Sequence, residues 1–322
     1  MSKIQTVTGN VAPESIDISF MHEHLLFGMP GWDLDPAMAF DRQVVMDGVV
    51  QELRALKKAG ADLLVDLSPI ASGRDVNFMV EAATASDMRI VACTGFWSER
   101  GMPPHFHPPL KGVDDLEEIF VRELTKGMGT TDVLAGIIKI GTKGEHMTPM
   151  EEGLFRAAAR ASKRTGACIT THISSHLPSP VGVISGREQL KVLIEEEGVE
   201  PSRVIIGHCD ATRLPDYHLE VAKAGAFVAF DHISDEVGAP YAFANEMRIP
   251  WILNLLEHGY ERQMIFATDR IMHFLSGGGA QEFTADQLIT DFMPMLRKAG
   301  VGDDTIKTIM VENPRRALAM PD

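Results

Sequence analysis

The sequence predicts an α/β fold in which one TIM-type (β/α)8 barrel domain spans residues 1–322. Three observations carry that expectation. Short β-rich runs alternate with amphipathic helical stretches along nearly the whole chain, as parallel strands joined by helical crossovers do. Titratable residues recur at the C-terminal ends of those runs, where barrel enzymes carry their chemistry. No linker interrupts the alternation, and 322 residues with 45% hydrophobic content suffice for one large core. The alternative is a doubly wound open sheet. Its first strand is usually followed by a glycine-rich turn, and a histidine triplet stands there instead.

In chain order, residues 5–13, centred on Gly9-Asn10, read as a small hairpin ahead of the barrel. Eight strands follow at residues 16–22, 62–67, 89–94, 134–140, 167–172, 203–208, 227–232 and 264–269. The first rests on the run Ile16-Asp17-Ile18-Ser19-Phe20-Met21, the fourth on the apolar Ala135-Gly136-Ile137-Ile138. Helices are expected between them at 43–58, 76–86, 116–126, 151–164, 188–197, 217–223 and 249–258. Two more, 286–298 and 304–311, follow the last strand. Gly277-Gly278-Gly279 reads as a turn in the loop after strand eight, either a plain hinge or part of a substrate lid.

The net charge of -15 argues against a nucleic-acid partner, because binding a phosphate backbone rests on clustered Lys and Arg. No stretch approaches the roughly 20 apolar residues of a membrane span, and the N-terminus lacks the apolar core of a signal peptide. The chain therefore reads as cytoplasmic. Cys93, Cys168 and Cys209 sit in or beside apolar runs and read as reduced core residues, without a CxxC zinc motif or a disulfide framework.

The most informative motif is His22-Glu23-His24 at the end of the first strand. Side chains two apart on a strand project to one side, so both imidazoles can meet one metal ion while Glu23 points away. Taken alone, two strand-end histidines are equally well ordinary polar residues. Lys139, His172, His208, His232 and Asp269 end the fourth to eighth strands, and a barrel gathers all those ends on one face. Imidazole and carboxylate donors suit zinc, cobalt, manganese or iron. Lys139 would be costly to bury as a cation. Either it reaches out to solvent or an acid, or it supplies a neutral amine able to capture carbon dioxide as a metal-bridging carbamate.

The motifs Met21-His22-Glu23-His24, Gly136-Ile137-Ile138-Lys139, Thr170-Thr171-His172, Ile206-Gly207-His208, Asp231-His232 and Thr268-Asp269 stand in the order of the phosphotriesterase family of the amidohydrolase superfamily, phosphotriesterase-like lactonases included. The chain resembles that family over almost its full length. The resemblance implies two divalent metal ions, with His22, His24 and Asp269 on the more buried one and His172 and His208 on the more exposed one. Carboxylated Lys139 and a hydroxide would bridge them. Asp269 and His232 would be the catalytic pair, moving a proton away from the attacking water. It also implies a homodimer and a small-molecule ester or lactone as substrate.

Some positions depart from the family pattern. In phosphotriesterases a second Asp continues the proton relay after the sixth-strand His, and in His208-Cys209-Asp210-Ala211 that place falls on Ala211. The relay then either ends at His232 or passes to another group. Asp231-His232 follows the phosphotriesterase branch, whereas characterised lactonases usually carry Arg after that Asp. The run from 172 to 188 also looks longer than in typical members.

Trp97 aligns with a family aromatic that lines the pocket, with core packing as the alternative. Met272 and His273 lie close enough to Asp269 to border the same pocket, and Met29 and Met102 fall in loops after strands one and three. The other histidines, at 105, 107, 146, 176, 218 and 258, read as solvated. The expected function is a binuclear metal hydrolase that opens lactones, N-acyl-homoserine lactones among them, or related esters. An organophosphate triesterase and a non-catalytic metal-stabilised barrel are the alternatives.

Overall fold

The computed structural model describes residues 2–173, 181–234, 244–277, 281 and 283–321. Its N-terminal hairpin joins β1 (Ser2–Thr6) to β2 (Gly9–Val11), with Thr6 opposite Gly9 and Ile4 opposite Val11. The turn thus falls on Val7-Thr8, not on Gly9-Asn10. The Thr6 hydroxyl donates to the Gly9 carbonyl at 2.6 Å, and Gly9 opens the second strand at φ 128°, a conformation only glycine adopts readily. The Gln5 side chain donates to the carbonyls of Leu124 and Ala135 at 3.1 and 2.6 Å, fastening the hairpin to the N-terminal end of the barrel.

The barrel strands are β3 (Ser19–Phe27), β4 (Leu63–Asp66), β5 (Arg89–Gly95), β6 (Ile137–Gly141), β7 (Ile169–His172), β8 (Val204–Ile206), β9 (Phe227–Phe230), β10 (Met264–Phe266) and β11 (Arg270–Phe274). All neighbouring pairs run parallel, in the order β10-β9-β8-β7-β6-β5-β4-β3-β11. Nine strands make eight staves, because β10 and β11 are two halves of one. The stave expected at residues 264–269 leaves β9 after Phe266, kinks at Asp269 with φ 52°, and resumes against β3. Asp269 donates its N–H to the His22 carbonyl at 3.0 Å, so this stave closes the barrel. A final strand, β12 (Met320–Pro321), pairs with β1 and brings the C-terminus onto the hairpin.

Among the described residues seven helices cover the barrel between the strands: α1 (Arg42–Ala59), α2 (Val76–Ser86), α3 (Val113–Thr125), α4 (Pro149–Thr165), α5 (Val181–Leu190), α6 (Pro215–Lys223) and α7 (Arg248–Glu257). Their ends follow local chemistry. The Asp41 carboxylate accepts from the N–H groups of Gln43 and Val44 to start α1, and Gly60 at φ 114° stops it. Thr148 and Glu151 form a reciprocal capping box on α4. α5 begins earlier than the expected 188–197, then continues as a π-helical turn over Lys191–Glu196. The expected 286–298 and 304–311 helices are present as Leu288–Phe292 with Met293–Lys298, and Asp303–Lys307 with Thr308–Glu312.

Two apolar layers result. Met21, Val65, Val91, Cys93, Ile137, Cys168, Ile205, Phe227 and Ile265 fill the barrel interior, and a larger layer packs the helices on the outside. All three cysteines are buried and free, as the sequence suggests. Of Gly277-Gly278-Gly279 only the first is described, at φ 72°, and residues 174–180 of the long run lie outside the described residues.

Candidate metal centre

A bulge in β3 between Phe20 and Glu23 lets Met21 point into the core while His22 and His24 both face the barrel mouth. Glu23 points the other way. It accepts from the Thr268 N–H at 2.9 Å, the Thr268 hydroxyl at 2.6 Å and the Arg270 N–H at 2.7 Å. The residue between the two histidines therefore holds the kink that presents Asp269. Burial pushes its carboxyl well above the usual range, against those three hydrogen bonds.

Close backbone packing sets the other groups. A Cβ on Gly95 would stand 2.0 Å from the carbonyl oxygen of Lys139, and one on Gly207 would stand 2.0 Å from that of Thr171. Only glycine lets β5 and the turn before His208 approach the neighbouring staves so closely. His208 and Asp269 occupy left-handed backbone conformations at φ 54° and 52°, which most non-glycine residues avoid.

The side chains converge. Lys139 Nζ lies 3.0 Å from His22 Nε2, His24 Nε2 is 3.1 Å from Asp269 Oδ1, and His172 Nδ1 is 2.8 Å from His208 Nε2. His232 Nε2 lies 3.3 Å from Asp269 Oδ2. A second ring of residues orients them. Asp231 binds His22 Nδ1 through Oδ2 at 2.8 Å and His208 Nδ1 through Oδ1 at 2.9 Å, while Ser68 Oγ is 3.0 Å from His24 Nδ1. Asp210, not the Ala211 expected at the relay position, stands behind His232, with Oδ1 3.4 Å from Nδ1 and Oδ2 accepting the His232 N–H at 3.2 Å.

Burial dominates the electrostatics. It holds His22 down to about 3, reinforced by Lys139, and pushes His172 well below its ordinary value. The Lys139 amine is lowered by the same desolvation, which favours a neutral nitrogen. His232 goes the other way. Although burial disfavours its charge, Asp210 and Asp269 raise it to about 10. Asp269 is held well below the carboxylate range by His22 and its bonds to His232 and His24, against the cost of burial.

These groups and Trp97 line one cavity of about 290 Å³, closed on its apolar side by Phe27, Met29, Leu67, Ile271 and Phe274. Met272 and His273 do not line it. Met272 packs on the outer apolar layer, and the His273 ring lies 5.5 Å from that of Phe40, because Ile271 and Phe274 take the cavity-facing places on β11. Met102 faces a neighbouring groove. His218 is not solvated but fully buried on α6. Sequence reasoning passed over Arg100 and Lys143, which also line the cavity. Their signal was position alone, each a few residues beyond a strand end.

The profile of the phosphotriesterase family matches residues 2–318. The chain belongs to the phosphotriesterase family. It is similar to a phosphotriesterase homology protein of Mycobacterium tuberculosis, with 30% identity over 98% of this chain and 97% of that one. An aryldialkylphosphatase of Saccharolobus solfataricus is 28% identical over 96% and 98% of the two chains. A variant of a PTE-like lactonase of Deinococcus radiodurans superposes with a TM-score of 0.90 at 30% identity, covering 98% of this chain and 99% of that one. As a phosphotriesterase-family protein the chain is a hydrolase, and no described helix is long and apolar enough to cross a membrane.

The donor set fits the two-metal pattern of phosphotriesterase-family hydrolases. His22, His24 and Asp269 bring ligand atoms within 4.8 Å of one another, as do His208, His232 and Asp269. His172 Nε2 is buried without a hydrogen-bond partner, and its Nδ1 faces another imidazole nitrogen. A buried imidazole nitrogen without a hydrogen-bond partner is suited to act as a metal ligand.

Proposed function

We propose that the chain is a binuclear metal-dependent hydrolase that opens lactones, with N-acyl-homoserine lactones of quorum signalling as natural substrates, or related carboxylic esters. His22, His24 and Asp269 would hold one divalent ion, His172 and His208 the other, and Lys139 as a carbamate would join them. Zinc suits this set, and cobalt, manganese or iron are accommodated by the same donors. Such ions, when bound, supply an acidified water and an electrophile for the oxygen of the scissile bond.

The protein's own part is proton handling. The observation that carries the reading is the chain from Asp269 through His232 to Asp210, with steps of 3.3 and 3.4 Å. With the Asp269 charge engaged by a divalent ion, the rise that Asp269 causes at His232 would be lost; neutral His232 Nε2 would then take a proton from Asp269 Oδ2, and Asp210 would stabilise the imidazolium that results. A barrel that bound metal only for stability would have no need of this pairing. The second reading, organophosphate triester hydrolysis, is favoured by the retained Asp231-His232 and by Trp97 at the cavity wall.

The test compares kcat/KM for a lactone series and an aryl phosphotriester on metal-reconstituted protein. Lactone turnover supports the first reading, and turnover of the phosphotriester alone replaces it with the second. We also read the chain as a cytoplasmic homodimer acting on a small molecule, with no membrane partner and, as the net charge of -15 supports, no nucleic-acid partner.

A further inference from the structure

Lys143, in the loop after β6, and Arg100, in the Glu99–Gly101 turn after β5, both line the metal-site cavity. Among the described residues neither has a carboxylate within the 4.0 Å of an ion pair, in a chain carrying 45 acidic residues against 30 basic ones. The acids beside them are committed elsewhere. Glu99 accepts from the Thr148 hydroxyl at 2.5 Å, and Glu151 accepts from the backbone N–H groups of Lys143 and Thr148 at 3.0 and 3.2 Å. Those bonds fasten the two loops together, and the Arg100 side chain is exposed. Lys143 is half-buried, its Nζ 5.4 Å from the Trp97 ring centre, and Trp97 in turn lies edge-on to His172, ring centres 5.5 Å apart.

Two neighbouring cations without counter-charges repel each other, and burial and Arg100 both lower the Lys143 ammonium from its ordinary value. An anion between them relieves both effects. Phe27, Met29, Ile271 and Phe274 form an apolar wall and offer an anion nothing.

We propose that the substrate carries an anionic group, a carboxylate, sulfonate or phosphate, a short spacer away from the scissile bond, received by Lys143 and Arg100. This rests on the ester and lactone hydrolase reading and narrows its substrate class: a neutral N-acyl-homoserine lactone or phosphotriester would leave both cations uncompensated, so within that reading an anionic ester or lactone is preferred over them. Lys143 and Arg100 are specificity residues on this account, not members of the proton relay.

The test uses full-length, metal-loaded protein and two near-isosteric esters, 4-nitrophenyl hydrogen glutarate and 4-nitrophenyl pentanoate. The glutarate ester should be preferred in kcat/KM. Lys143→Met and Arg100→Met should each lower that preference by about tenfold or more, the usual scale for a hydrogen bond to a charged group, with kcat/KM for the pentanoate ester falling less than that for the glutarate ester. Competition by glutarate, 3-sulfopropanoate and 3-phosphonopropanoate, lost in Lys143→Met, would identify the anion by its strongest competitor. A pentanoate preference, or a glutarate preference untouched in both variants, overturns the inference while leaving a metal hydrolase that turns over pentanoate in place. If neither ester is cleaved by metal-loaded protein, the ester reading fails. Calorimetric binding of glutarate that needs Lys143 then still supports the anion site, and binding that does not need it overturns that site too.

Discussion

Asp210 and Arg248 form an ion pair in which neither side chain reaches solvent, with Arg248 Nε donating to Asp210 Oδ2 at 2.9 Å. The guanidinium also bonds the His232 carbonyl and, at 3.1 Å, Asn245 Oδ1. Arg248 holds Asp210 ionised against burial, and Asp210 in turn favours the charged form of His232. A residue at the start of α7 thereby holds the Asp210–His232 pair from outside the cavity.

Arg248→Met leaves the Asp210 carboxylate buried without its main partner. Breaking such a pair costs about 3–5 kcal/mol. Urea unfolding should show a loss of that size, part of it recovered in the double variant with Asp210→Asn. A loss no larger than that of a surface substitution would refute the role given to the pair.

Asp231 joins both halves of the metal centre, holding His22 and His208 by their Nδ1 atoms. Asp231→Asn keeps the shape, but an amide cannot accept from both imidazoles at once. Metal affinity should drop about 10–100-fold, with kcat/KM falling alongside it. Titration with a metal indicator checks this, and unchanged affinity would show that the two rings orient themselves.

Lys139→Ala removes the only amine in the cavity besides Lys143 among the described residues. If Lys139 acts as a carbamate, added acetate or propionate should partly restore metal binding and activity. Full metal occupancy with no rescue counts against a carbamate.

His218, which does not line the cavity, gives a pH signature of stability. Its Nε2 donates to the Cys209 carbonyl at 2.8 Å, its Nδ1 has no partner, and burial lowers it to about 4 from 6.5. The unfolded chain therefore takes up this proton first as pH falls. The contribution is complete above pH 6.5 and disappears progressively as pH drops from 6.5 through 4, amounting to about 3 kcal/mol. Comparing unfolding free energies at pH 7.5 and about 4, the pH-dependent loss should be smaller by about that much in His218→Gln. An equal loss in both proteins would remove His218 from the account.

Alternation of β-rich runs and helices made the barrel legible, because strand and helix periodicities are local properties of a sequence. The placement of His22, Lys139, His172, His208 and Asp269 at stave ends was legible for the same reason. Local pattern failed where long-range contacts decide. The break between β10 and β11 depends on Glu23, 245 residues from Thr268 in sequence, gripping that turn. Asp210 was passed over for Ala211 because spacing after a strand says nothing about a turn that begins with His208 in a left-handed conformation. Met272 and His273 were misplaced because proximity in sequence to Asp269 does not fix which side chains of β11 reach the cavity.

The sequence by itself determined the fold class, the set of donor residues and their common face, since each follows from periods of two and 3.6 residues and from the closure of a parallel sheet. Only the tertiary structure decided which carboxylate serves which histidine and which cavity cations lack a carboxylate partner among the described residues. Hydrogen bonds and charges act over a few ångströms, and those distances exist only once distant staves have been brought side by side.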